Sequence, residues 1–110
     1  MKSDMASEPK PWDSQNGRTI ALQVALLKRV HVFPWGQFLF AEGTGDEVRA
    51  AFATHDVIVK GSGLTTLLDD LALQRVVVLR EPARADKFAG GGQGPRIVEV
   101  SVRKAESGAS

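Results

Sequence analysis

The chain has no cysteine and only two histidines in 110 residues. Disulfides are therefore excluded, and His31 and His55 cannot form a metal site from histidine alone, because zinc sites use three or four protein ligands. The lack of cysteine is typical of a reducing compartment. No apolar segment is long enough for a membrane span or for a signal-peptide core. We therefore expect a cytoplasmic protein that has no metal or other cofactor and no membrane contact.

A strong charge of one sign is also missing. Fourteen Lys and Arg oppose thirteen Asp and Glu, which leaves a formal net charge of +1. Proteins that bind nucleic acid through a general electrostatic footprint are usually far more basic. The charge balance favours an ordinary solvated surface over a nucleic-acid surface.

Both ends of the chain lack the apolar periodicity of a core segment. Residues 1–17 are rich in Ser, Pro and charged residues around Trp12, and this composition predicts a disordered N-terminal tail. Residues 103–110 predict a second disordered tail, and the Gly-rich residues 89–95 predict a loop. What remains is one small domain over residues 18–102. A core of this size with no disulfide predicts stabilisation by self-association.

The first half of this domain reads as strands. Alternating apolar residues predict a strand over 19–27, although the composition also allows a helix there. A second strand over 30–42 contains Pro34, which cannot donate to a ladder and so indicates an edge, a bulge or a sharp corner. The turn residues 43–46 predict an antiparallel hairpin between 38–42 and 47–53.

The period of the pattern changes at residues 60–63, where a strand gives way to a helix of about 63–74. Its apolar stripe is Leu64, Leu67, Leu68 and Leu71. We expect Ser62 or a neighbour to cap the helix, and Asp69 and Asp70 to face water. A buried strand follows over 76–79. The fold predicted is α+β, a mostly antiparallel sheet of 4–6 strands with one amphipathic helix packed on one face.

Candidates for chemistry are few. Asp56 could orient His55 as a general base, but the simpler interpretation is that Thr54 and Asp56 bond local backbone groups at a strand break. The backbone of Lys60, Gly61, Ser62 and Gly63 could receive an anion at the helix start. Neither a P-loop nor a dinucleotide motif is present, and glycine is common at such connections for geometry alone. No nucleophile accompanies these residues, so we do not expect an enzyme.

Two resemblances are carried by short motifs. Residues 57–61, V-I-V-K-G, resemble the second sequence block of Sm-like RNA-binding proteins, which implies that the following loop contacts a nucleotide; an Sm fold continues there with a strand, whereas this chain continues with a helix. The pattern F-x-T-H-[DE]-V-x-V-x-G-x-x-L-x-x-L, here residues 52–67, resembles a group of short bacterial proteins. This second resemblance implies a bacterial cytosolic domain and transfers no activity.

Three hypotheses follow. The leading one is a non-enzymatic binding module that associates with itself or with another protein, through a strand edge near Pro34 or a patch around Trp35. The alternative is a β-rich, Sm-like RNA-binding protein that uses Lys60, Arg75, Arg80 and Arg84. The third is an enzyme or small-molecule binder centred on His55, Asp56 and residues 61–63. The candidate interaction or anion site comprises Trp35, His55, Asp56, Lys60, Gly61, Ser62 and Gly63.

Overall fold

The computed structural model describes residues 11–83 and 94–105. These residues form eight strands, one α-helix and one 3-10 turn. In chain order the elements are β1 (Trp12–Ser14), β2 (Ala21–Ala25), β3 (Val30–Pro34), the 3-10 turn Trp35–Gln37, β4 (Phe38–Gly43), β5 (Glu47–Phe52), β6 (His55–Ser62), α1 (Thr65–Ala72), β7 (Val76–Arg80) and β8 (Arg96–Lys104).

The strands form two four-stranded sheets. Sheet 1 has the order β1-β7-β2-β3 and is mixed, because β7 runs parallel to β2. Sheet 2 has the order β4-β5-β6-β8 and is antiparallel throughout. The predicted α+β class with a single helix is confirmed. The strands differ from the prediction in number and in their division into two sheets.

Pro34 marks the place where the chain leaves one sheet for the other. It is the last residue of β3 at the edge of sheet 1, and the 3-10 turn then leads directly into β4 of sheet 2. Trp35 holds this corner: its ring meets Phe38 edge to face at 5.2 Å, and its indole Nε1 donates to Thr19 Oγ1 at 2.6 Å. Of the predicted alternatives, an edge position and a corner are both confirmed.

The hairpin of β4 and β5 and the helix within 63–74 are confirmed. Leu64, Leu67 and Leu71 are fully buried, and α1 packs against β4 and β5. The predicted cap is wrong, because β6 extends through Ser62 and Gly63 turns the chain with a φ of +65°. The N-cap residue is Leu64, whose side chain cannot accept a hydrogen bond.

The predicted N-terminal tail of residues 1–17 is wrong in its last part. Trp12 is buried in the core, and β1 pairs antiparallel with β7 through Trp12↔Leu79 and Asp13↔Val78. The folded domain thus begins before residue 18, and at its other end β8 continues to Lys104, past the predicted limit of 102. Residues 1–10, 84–93 and 106–110, with most of the predicted Gly-rich loop and C-terminal tail, lie outside the described residues.

One core joins both sheets and the helix. Its buried members come from every described strand and helix except β4, which adds only the partly buried Phe38 and Ala41. Trp12, Phe33, Trp35 and Phe52 are its large aromatic residues. Asp70 is the one buried charged residue among those the structure describes. No helix in residues 11–83 or 94–105 has the length and apolar character needed to cross a bilayer.

Candidate functional site

Trp35 cannot be the exposed contact that the sequence suggests. Its side chain is buried at the corner between the sheets, where it packs on Phe38 and Phe52. The apolar patch predicted around it is therefore wrong. Its burial follows from the turn after Pro34, which directs the indole into the core.

His55 and Asp56 do not form a dyad. They are neighbours on β6, and successive side chains of a strand point to opposite faces. The ring of His55 lies towards sheet 1, with Nδ1 at 2.9 Å from Thr54 Oγ1. Asp56 lies on the outer face of sheet 2, where its Oδ2 is 3.4 Å from Nε of Arg49. The alternative in which Asp56 orients His55 as a general base, which the sequence left open beside the simpler interpretation, is therefore wrong.

The connection from β6 to α1 is a close backbone approach. Pairing with β8 shifts register between Lys60 and Gly61, and a Cβ at Gly61 would overlap the carbonyl oxygen of Arg96. Gly61 N donates to Asp46 O at 2.9 Å and Leu64 N to Gly45 O at 2.9 Å, so these donors serve the hairpin turn. Lys60, Ser62 and Gly63 are exposed. Glycine is needed at positions 61 and 63 for the close backbone approach and the positive φ, which agrees with the simpler interpretation of the sequence.

The three described basic residues of the RNA-binding alternative, Lys60, Arg75 and Arg80, do not share one surface. Arg75 pairs with Asp70 at 3.1 Å, and Arg80 pairs with Asp13 at 2.8 Å, both beside sheet 1. Lys60 lies on β6 of sheet 2 opposite Glu47 and Glu99. Arg84 lies outside the described residues.

A cleft of about 590 Å³ opens where the two sheets meet at the turn between β2 and β3. His31 of β3 and His55 of β6 lie side by side in its lining with their ring centroids 6.0 Å apart, and His31 also stacks on Phe33 at 5.7 Å. The complete lining is Leu26, Leu27, Lys28, Arg29, His31, His55, Glu81, Val102 and Lys104. The sequence shows both histidines but gives no sign that they meet, since they lie on different strands of different sheets.

Burial lowers the pKa of His31 below its ordinary value of 6.5, and the positive charge of Arg29 and of His55 lowers it further. The unfolded chain therefore binds a proton at His31 at a higher pH than the folded chain. Below about pH 6.5 the free energy of unfolding should then decrease as the pH falls, until the folded-state pKa is passed. We expect the His31→Gln variant to show a shallower loss of stability in this range than the wild-type chain.

Urea unfolding at several pH values between about 7.5 and 5 measures this slope, because the linear extrapolation gives the free energy of unfolding at each pH. Asp13 should not contribute to the slope in this pH range. The hydrogen bond from Arg80 lowers the pKa of Asp13 below 3.8, so its contribution is lost only as the pH falls further. An unchanged slope in His31→Gln would show that another group causes the acid sensitivity.

The free edge of β3 is the second surface of interest. β3 pairs with β2 on one side and with no other described strand. At the two ends of this hairpin, Leu26 N donates to Arg29 O at 2.8 Å and Trp35 N donates to Ile20 O at 3.2 Å. Because alternate residues of an antiparallel pair exchange both bonds, His31 and Phe33 direct their N–H and C=O towards β2.

Val30 and Val32 consequently direct their backbone N–H and C=O away from the sheet. Their side chains are exposed on the outer face of sheet 1, where Val32 is 62% exposed. Pro34, also on this face, has no N–H to offer. Within residues 11–83 and 94–105 the edge thus presents two backbone sites that no strand pairs, each beside an exposed β-branched side chain, and it ends at a proline.

Sequence reasoning missed Val30, Val32, His31 and Lys104 as surface candidates. An alternating strand pattern shows that residues share a face, but it does not show whether that face is covered. Among residues 11–83 and 94–105 no three His, Asp or Glu side chains converge in a way that could hold a metal ion. No family model matches the chain, and neither the curated proteins nor the solved structures include a significant match.

Proposed function

We propose that the protein is a cytoplasmic, non-enzymatic interaction module that associates with a second copy of itself through the free edge of β3. The observation that carries the proposal is the coincidence of unpaired backbone groups and exposed apolar side chains at Val30 and Val32. An open edge of this kind is a template for strand addition. The opposite orientations of His55 and Asp56 support a binding role over the catalytic one that the sequence raised.

The edge is self-complementary in the antiparallel direction. When Val30 of one copy lies opposite Val32 of the other, the two-fold axis passes beside His31, and four hydrogen bonds form between the copies. This register uses every outward N–H and C=O of the two valines, and it does not require Pro34 to donate a hydrogen bond. It also places the four valines in one apolar cluster on the outer face, which is the cross-strand contact that stabilises sheets.

Charge favours the same direction. The turn before β3 carries Lys28 and Arg29, and a parallel pairing would set these turns against each other. In the antiparallel register each Lys28 lies opposite Pro34 of the other copy. Like charges are then kept apart, which a symmetric interface requires.

A pairing through one strand of five residues is small beside the roughly 1,200 Å² that stable interfaces bury. We therefore expect a weak, concentration-dependent dimer, visible by sedimentation between about 10 µM and 1 mM. The Val32→Lys variant should remain monomeric over this range, because lysine on an edge strand opposes pairing. Leu39→Lys is the matched control, since Leu39 is also 62% exposed and lies on the edge strand of sheet 2.

Amide hydrogen exchange tests the register directly. The N–H groups of His31 and Phe33 should be protected at all concentrations, whereas those of Val30 and Val32 should gain protection only as the dimer forms. A chain that stays monomeric at 1 mM, or equal effects of Val32→Lys and Leu39→Lys, would refute the proposal. A mass that increases only with added RNA, and returns to the monomer value in high salt, would support the RNA-binding alternative instead.

A further inference from the structure

The cleft between the sheets has the composition of a site for an anion with an apolar body. Leu26, Leu27 and Val102 provide an apolar lining, and the two histidine rings extend it. Its volume of about 590 Å³ lies within the range of small-molecule sites, which is roughly 300–1,000 Å³. The lining comes from both sheets, so the cleft exists in a single folded chain.

The charges around this cleft are unbalanced. Lys28, Arg29 and Lys104 are positive, whereas Glu81 is the one acidic residue of the lining. Glu81 Oε1 already accepts a hydrogen bond from Leu27 N at 2.9 Å, which holds the carboxylate to the turn between β2 and β3. Within the described part of the chain, none of the three cations takes part in an ion pair.

We propose that this cleft binds a small organic acid, whose apolar body packs on Leu26, Leu27 and Val102 and whose carboxylate is held by the surrounding cations. His31 and His55 lie between these two regions and can donate a ring N–H to the same anion. The site is distinct from the β3 edge, because Val32 points to the outer face of sheet 1 and the cleft lies on the inner side.

Binding should strengthen as the pH falls below about 7, since a bound anion favours the protonated form of His31. The charged and titratable groups facing His31 are Lys28 and Arg29 from its own hairpin, His55 from β6, Glu81 after β7 and Lys104 from β8. An anion offsets the excess of positive charge among them. Proton uptake on binding is the expected signature.

Octanoate is a suitable probe, with acetate as the truncated anion and octanol as the neutral analogue. In an NMR titration we expect octanoate to shift the ring resonances of both histidines in a saturable way. Acetate lacks the six methylene groups of octanoate, and because burial of about two of them already accounts for a factor of ten, it should bind at least about tenfold more weakly. Octanol should also bind more weakly, since it offers the cations no charge.

Two matched pairs of variants locate the site. Leu27→Asp places a competing carboxylate in the cleft and should weaken octanoate binding about tenfold or more, the effect of a like charge close to the bound anion. Leu73→Asp is its control, because Leu73 is 53% exposed in a distant turn and Leu27 is 59% exposed. Lys104→Gln should weaken binding about two- to fivefold, whereas Lys60→Gln, outside the cleft, should not.

The Val32→Lys variant separates this site from the proposed dimer: it should bind octanoate as the wild-type chain does. Thermal unfolding of each variant confirms that it is folded. The inference is overturned if about 10 mM octanoate causes no saturable shift of either histidine ring. It is equally overturned if octanol binds as tightly as octanoate, or if Leu73→Asp weakens binding as much as Leu27→Asp.

Discussion

Replacing Asp70 by alanine should lower the free energy of unfolding by roughly 2–4 kcal/mol, because it removes two hydrogen bonds to a buried carboxylate. Hydrogen bonds to charged groups contribute about 1.5–3 kcal/mol each, whereas Arg75, 34% exposed, can turn to water. Asp70 is 2% exposed, and its Oδ2 accepts the indole N–H of Trp12 at 2.9 Å. Its Oδ1 accepts from Arg75 Nε at 3.1 Å. The variant leaves the Trp12 donor buried and the Arg75 charge without this partner.

The position of Asp70 explains why the effect should be large. Through Trp12 it joins β1 to the helix, and through Arg75 it joins the end of the helix to the start of β7. The backbone N–H of Arg75 also donates to the carbonyl oxygen of Asp70 at 3.0 Å. The carboxylate of Asp70 thus links β1, the end of α1 and the start of β7.

Asp69→Ala is the matched control, because Asp69 precedes Asp70 on the same helix and is exposed. It should change stability by no more than about 0.5 kcal/mol. Trp12→Phe keeps a ring in the core but removes the donor, and we expect a loss of roughly 1–3 kcal/mol. Urea unfolding of Asp70→Ala, Trp12→Phe and the double variant measures the coupling between them. If Asp70→Ala is as stable as Asp69→Ala, the buried carboxylate does not hold these segments together.

The Gly61→Ala variant should lose roughly 3 kcal/mol, at the upper end of the cost of overpacking a closely packed site. An added Cβ would overlap the carbonyl oxygen of Arg96 and lie 2.9 Å from Ile97 Cα. Both are backbone atoms of β8, so no side-chain rotation relieves the contact. The strand itself must move away from β6, and this movement breaks ladder hydrogen bonds on both sides of the register shift.

Gly36→Ala provides the comparison for this variant, since a Cβ at Gly36 would meet nothing within 4 Å. We expect its stability to stay within about 0.5 kcal/mol of the wild-type value. Hydrogen exchange adds a local readout: in Gly61→Ala the amides of β8 should lose more protection than those of β5, because β8 is the strand that is displaced. Equal stability of the two alanine variants would show that β8 can accommodate the extra carbon.

Local patterns predicted the elements whose partners are close in sequence. The hairpin of β4 and β5 follows from turn residues between two apolar runs, and α1 follows from the stripe of Leu64, Leu67 and Leu71. The corner at Pro34 follows from the missing N–H of proline. In each case the deciding interaction lies within a few residues, so the sequence contains it.

Pairing between segments that are distant in sequence decided which of the remaining side chains are buried. Composition placed Trp12 in a tail, yet it pairs with Asp70, 58 residues away along the chain, and lies in the core. Asp70 follows Leu67 by three residues, so it lies at the border of the apolar stripe of the helix. It is buried only because β1 covers that side of the helix. The helix pattern alone predicts that Asp69 and Asp70 are both exposed to water.

The candidate surfaces show the same division. The sequence by itself determined that Val30 and Val32 share a face and that glycine is needed near residue 61. Only the tertiary structure decided that β3 is an edge, that His31 meets His55, and that Lys104 joins them at one cleft. The physical reason is that a strand's period is set by its own backbone, whereas its neighbours and its covered face are set by segments elsewhere in the chain.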